Sequence, residues 1–76
     1  MTRDAAAIET WLVAALAREL GTPAVDATTA FPDLGLGSRQ AVLLAGDLED
    51  WLGREVDAAL MWEHPNARAL AAHLAG

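Results

Sequence analysis

Apolar residues return at intervals of three and four along most of this chain, and that spacing decides what it can fold into. From about Asp4 to Leu20, the residues Ile8, Trp11, Leu12, Ala15, Leu16 and Leu20 fall along one helical face. From Ser38 to about Leu52, Ala41, Leu44, Ala45, Leu48, Trp51 and Leu52 form a second stripe, and Ala67, Leu70, Ala71 and Leu74 form a third. Hydrophobic residues make up 54% of the chain. Much of that share is alanine and leucine, strong helix formers, whereas the β-branched and aromatic residues that favour strands are few. The expectation is an all-α fold.

The punctuation agrees with the stripes. Thr2 or Asp4 can accept hydrogen bonds from the free N–H groups at the first helix start, and Gly21 with Pro23 ends that helix. Gly53 closes the second, Pro65 sits where the last can begin, and Gly76 follows it. Gly46 lies inside the second helix at a cost of about 1 kcal/mol relative to alanine, which close packing of another helix would explain. Val56 to Trp62 reads as a helix of one or two turns set across the others. Residues 22–37 carry Pro23, Pro32, Gly35 and Gly37 and read as a long surface connection, ordered because Val25, Phe31, Leu34 and Leu36 can pin it. The predicted architecture is a small four-helix bundle with three main helices, one short helix and a long first loop, forming a single domain over residues 1–76.

A chain of 76 residues can build one modest core and has little room for a catalytic pocket between lobes, so a non-catalytic module is expected. There is no cysteine, which excludes disulfides, thiolate metal sites and thiol nucleophiles. The formal net charge of -6 would repel nucleic acid and anionic membranes and suits basic protein partners. No apolar run approaches bilayer-spanning length, and the N-terminus lacks the features of a secretion signal, so a cytoplasmic location is expected.

The stretch Phe31-Pro-Asp-Leu-Gly-Leu-Gly-Ser-Arg-Gln-Ala-Val resembles the modification site of acyl carrier proteins, especially the carrier domains of polyketide synthases. Asp33, Gly35, Ser38 and Ala41-Val42 match the family pattern Asp-x-Gly-x-Asp-Ser-Leu and its continuation. Gly37 stands where an aspartate is usual, and Arg39 where an apolar residue is usual. The resemblance continues through Leu43-Leu-Ala-Gly-Asp-Leu-Glu-Asp-Trp-Leu-Gly-Arg, a string similar to carriers loaded by acyl-adenylate-forming ligases. It ends in Trp62-Glu-His-Pro-Asn-Ala-Arg-Ala-Leu-Ala-Ala-His-Leu, with Asn66 where threonine is usual. It therefore covers almost the whole chain.

The resemblance implies a four-helix carrier fold and phosphopantetheine, drawn from coenzyme A, attached covalently to Ser38. It further implies encounters with a phosphopantetheinyl transferase, an acyl-loading enzyme (an acyltransferase or an acyl-adenylate ligase), and condensing and processing enzymes. The residues themselves suit the attachment, because a serine at a helix start lies beside free N–H groups and the positive end of the helix dipole, where a phosphate is favoured. The same position would also suit a serine that only caps the helix.

Outward positions near Ser38 are predominantly acidic. Arg39, Val42, Leu43, Asp47, Glu49 and Asp50, with Met61, form the candidate partner surface, Val42, Leu43 and Met61 making its apolar centre. An acidic helix face can equally be a solvated face and nothing more. Trp62 is expected in the core. His64 and His73 share no site that the sequence can specify, so no Ser-His catalytic pair is expected. Two other functions fit the same chain: a peptidyl carrier using the same serine, and an unmodified helical module whose acidic helix binds a basic partner.

Overall fold

The computed structural model describes residues 3–75, so Thr2 and Gly76, read above as a cap and a chain end, lie outside the described residues. Four α-helices follow one another: α1 (Ala5–Leu20), α2 (Ser38–Leu52), α3 (Leu60–Glu63) and α4 (Ala67–Ala75). No strand occurs among the described residues. α1 packs mainly along α4 and less extensively against α2. The three stripes meet in one core in which Ile8, Leu12, Leu16, Leu48 and Leu70 are almost completely buried.

Asp4 starts α1, its carboxylate accepting the Ala7 N–H at 2.8 Å, and Gly21 ends it in the left-handed conformation with its N–H donated to Ala17. Asn66 does the corresponding work for α4 through its side-chain oxygen, 2.8 Å from the Ala69 N. Pro65 therefore precedes the cap instead of opening the helix. Threonine and asparagine are both capping residues, which explains how Asn66 can stand at a position where threonine is usual.

The long connection is ordered, and it contains a turn of 3-10 helix, Phe31–Leu34, that the spacing did not reveal. Val25, Phe31 and Leu36 are buried and Leu34 half-buried, in keeping with their expected role as anchors. Backbone bonds strap the loop to the far end of the chain: Phe31 N–H to Pro65 O at 2.7 Å and Arg68 N–H to Ala27 O at 3.0 Å. The Arg68 guanidinium adds an ion pair to Glu9 at 3.1 Å.

Three expectations are corrected. The short helix is a single turn at Leu60–Glu63, because Val56 to Ala59 form an approach segment held by Asp57, whose side chain accepts the Ala59 N–H and whose carbonyl accepts the Leu60 N–H. Gly46 is exposed, with open space where a Cβ would lie, so no close helix packing accounts for it. Trp62 is 45% exposed and does not belong to the core; its neighbour Met61, at 1% exposure, fills that role.

Candidate functional site

The loop sets the position of Ser38 in three steps. The 3-10 turn stops at Gly35, whose φ of 86° lies in the left-handed region that glycine adopts without steric cost. The chain then doubles back so that Leu36 donates to Phe31 O at 3.1 Å and buries its side chain. Buried Leu36 immediately precedes exposed Gly37 and Ser38, so α2 begins at the surface.

Gly37, not Ser38, is the residue that caps α2, and Ser38 is the first helical residue. Gly37 brings no side chain to the cap. Gln40 reaches back instead, its Oε1 accepting the Gly37 N–H at 2.9 Å. The Gly37 carbonyl accepts the Ala41 N–H at 2.9 Å. Among the described residues, nothing accepts from the N–H groups of Ser38, Arg39 and Gln40, and the Ser38 hydroxyl makes no hydrogen bond. The reading of Ser38 as a side-chain cap is thus not what the geometry shows.

Ser38 is also the only serine in the chain. The hydroxyls of Thr22 and Thr28 are engaged locally, with Ala24 O and with the Asp26 carboxylate. A phosphoryl group bonded to Ser38 Oγ would meet solvent on one side and unpaired helix N–H groups on the other, an arrangement that favours a phosphate. The residues present therefore fit a phosphate-linked arm. Two surface hollows of about 450 and 430 Å³ are lined by other residues, and Ser38 itself is exposed.

The residues grouped around Ser38 by sequence divide in two. Arg39, Val42, Leu43, Asp47 and Asp50 are exposed, Val42 and Leu43 at 60% and 56%. Met61 is buried and is corrected from a surface contact to a core residue. Glu49 is half-buried, and its Oε1 accepts the Val56 N–H at 3.1 Å. It fastens the segment leading into α3 onto the end of α2, a structural task that an outward-facing helical position did not announce.

Other contacts had no signal in local spacing. Trp11 and Trp51 stack across α1 and α2 with ring centroids 5.3 Å apart, and the Arg3 guanidinium lies 3.9 Å from the Trp51 ring centroid. His64 and His73 come together, their rings stacked with centroids 4.1 Å apart. They meet because the turn into α4 brings the end of α3 beside α4, and neither imidazole is bonded to the Ser38 hydroxyl. Arg54 donates to the Leu74 carbonyl in the last turn of α4. Asp26 is held below the ordinary carboxylate range, first by the Thr28 hydroxyl and then by the Thr28 N–H. Among the described residues no helix is long and apolar enough to cross a membrane.

An exposed, unengaged serine at the head of the second helix of a small bundle is the arrangement that a carrier domain needs, and comparison with known proteins shows that family. Residues 10–74 match the family described as PP-binding, phosphopantetheine attachment site. The chain belongs to that family, whose members carry covalently attached phosphopantetheine. It is 48% identical over 67 residues to one of the phenolphthiocerol/phthiocerol polyketide synthase subunits of Mycobacterium tuberculosis, and equally to its counterpart in Mycobacterium bovis. Those matches cover 86% of this chain but only 4% of the much longer synthase subunits.

Solved structures show the same fold. A free-standing peptidyl carrier protein from an Acinetobacter baumannii secondary metabolic pathway superposes with a TM-score of 0.90 at 31% identity, covering 96% of this chain and 94% of that one. A type-II acyl carrier protein from Streptomyces verticillus involved in bleomycin biosynthesis gives 0.86 at 23% identity, covering 92% and 84%. This chain is a carrier domain similar to those of polyketide synthases.

Proposed function

We propose that the chain tethers acyl or polyketide intermediates as thioesters on a phosphopantetheine arm at Ser38 and presents them to biosynthetic enzymes. The observation that carries this reading is the state of Ser38: sole serine, exposed, hydroxyl unengaged, beside three unpaired N–H groups. Attachment exchanges the Ser38 Oγ–H bond for an Oγ–P bond and releases adenosine bisphosphate from coenzyme A. When bound, the arm supplies a thiol that holds the cargo as a thioester and swings it between sites. The chain's own residues hold the phosphate and offer a docking surface. Tethering makes each delivery nearly intramolecular, at high effective concentration.

In this reading the domain itself is non-catalytic, and the chemistry belongs to its partners. These are a phosphopantetheinyl transferase, an acyl-loading acyltransferase or acyl-adenylate ligase, and condensing and processing enzymes. Exposed Val42 and Leu43 next to exposed Asp47 and Asp50 support a small apolar contact steered by charge, which suits brief encounters with basic partner surfaces. Incubation with coenzyme A and a transferase of broad specificity should add one arm to the wild type and none to Ser38→Ala. An unchanged wild-type mass would refute the reading.

A second reading, a peptidyl carrier, is favoured by the match to the Acinetobacter baumannii peptidyl carrier protein. The polyketide reading is preferred on the higher identity to the synthase subunits. Loading assays with acyl and amino-acid donors separate the two: acyl thioesters alone support the first, aminoacyl thioesters alone the second.

A further inference from the structure

We propose that Arg39 is a positioning residue for the arm, its guanidinium turning toward the head of α2 to pair with the phosphodiester on Ser38. This inference rests on attachment at Ser38.

Arg39 is out of place electrostatically. It sits in the first turn of α2, where the helix dipole presents positive charge and disfavours a cation. Within α2 its neighbours three and four residues on are Val42 and Leu43, so no carboxylate lies at the helical spacing that makes an ion pair. The first acid further along α2 is Asp47, about two turns away. Among the described residues its guanidinium forms no ion pair or hydrogen bond.

The other arginines are accounted for. Arg3 lies over Trp51, Arg54 donates to Leu74, Arg68 pairs with Glu9, and Arg18 occupies the last turn of α1, where the dipole favours a cation. Arg39 alone stands in an unfavourable field, without a partner, on a chain of net charge -6. Its immediate neighbour is the serine that receives a phosphate.

An anion bonded to Ser38 reverses that balance. Helical side chains lean toward the N-terminus, so the Arg39 stem is directed toward the end of α2 that Ser38 occupies. Adjacent helical side chains do not face each other, so it is the length of the arginine side chain and the extension of the phosphate beyond Ser38 Oγ that let the two meet at the open end of α2, where neighbouring Cα atoms are about 3.8 Å apart. A phosphodiester offers two non-ester oxygens, and the planar guanidinium fork is shaped to donate to both. Gly37 adds no side-chain charge that would compete. The pairing orients the first bonds of the arm along the surface on the Arg39 side, and it weakens with salt because it is exposed.

The test uses the whole chain, ¹⁵N-labelled, before and after modification with coenzyme A and a transferase, with intact mass recording the arm. The Arg39 Nε–Hε resonance is expected to shift on attachment, more than those of Arg3, Arg18, Arg54 and Arg68; this comparison needs no substitution. The ³¹P resonance of the modified wild type is expected to move between about 0.01 and 1 M salt, as the screening length falls from about 30 to 3 Å. That response should persist in Arg39→Lys and shrink by about half or more in Arg39→Gln, where only the helix N–H groups face the phosphate, and unmodified Arg39→Gln should melt no lower than the wild type; an undiminished response in Arg39→Gln overturns the pairing. An Arg39 Nε–Hε signal that stays put in a sample whose mass shows the arm overturns the positioning role and leaves the carrier reading intact. Absence of any mass increase overturns both.

Discussion

Glu49 separates the acidic residues that hold the fold from those free to meet a partner. Its carboxylate accepts the N–H of buried Val56, so Glu49→Lys removes the acceptor and leaves that N–H without its protein partner. A hydrogen bond to a charged group contributes about 1.5–3 kcal/mol. Glu49 is half-buried, and water takes over part of the lost bond, so the expected loss is about 1–2 kcal/mol. For a domain of this size, at about 6 °C per kcal/mol, the melting temperature should fall by about 6–12 °C. Glu49→Gln keeps an oxygen in place and loses only the charge assistance, so its fall should be less than half as large.

Asp47→Lys reverses charge at an exposed site and should change stability by no more than about 0.5 kcal/mol. It should instead slow modification by a basic transferase, most clearly at low salt. Circular-dichroism melts of the three variants, paired with modification rates at low and high salt, give the comparison. If Glu49→Lys melts with the wild type, the bond to Val56 does not hold the α2–α3 connection and the reasoning fails.

Three further outcomes can be checked. Asn66→Ala should cost about 1 kcal/mol, lowering the melting temperature by about 4–8 °C, whereas Asn66→Thr keeps a capping oxygen and should melt close to the wild type. Met61→Ala should destabilise the bundle by about 2–5 kcal/mol in denaturant titration, while Trp62→Ala should lower its midpoint distinctly less, because Met61 is 1% exposed and Trp62 45%. Asp26 should titrate below an ordinary aspartate in NMR, and Thr28→Val, which removes the hydroxyl donor, should raise its midpoint. Because the folded pKa is the lower one, this group's stabilisation is present above the unfolded value and is lost as pH falls through the folded value.

What the sequence disclosed follows from what is local. The stripes from Ile8 to Leu20, Ala41 to Leu52 and Ala67 to Leu74 mark the three main helices, because burial on one face imposes a period that needs no tertiary knowledge. The position of Ser38 at the exposed head of α2 was legible from the motif around it. Its freedom from capping was not, since that depends on Gln40 reaching back to Gly37 and on the path through Gly35 and Leu36. Met61 and Trp62 exchanged their expected places because a one-turn helix is too short for periodicity to say which of two adjacent residues faces inward. Glu49 looked like a surface acid because its partner, Val56, lies beyond the helix end at Gly53. The His64–His73 and Trp11–Trp51 stacks join residues from separate helices or turns, and only the packed chain brings them together.

The most direct measurement is peptide fragmentation of the transferase-treated, folded chain, which reads out the atom that carries the addition. A single phosphopantetheine is expected on the peptide containing Gly37-Ser38-Arg39, localised to Ser38, with every threonine unmodified. An addition found on a threonine, or a native fold that acquires none, would contradict the carrier assignment.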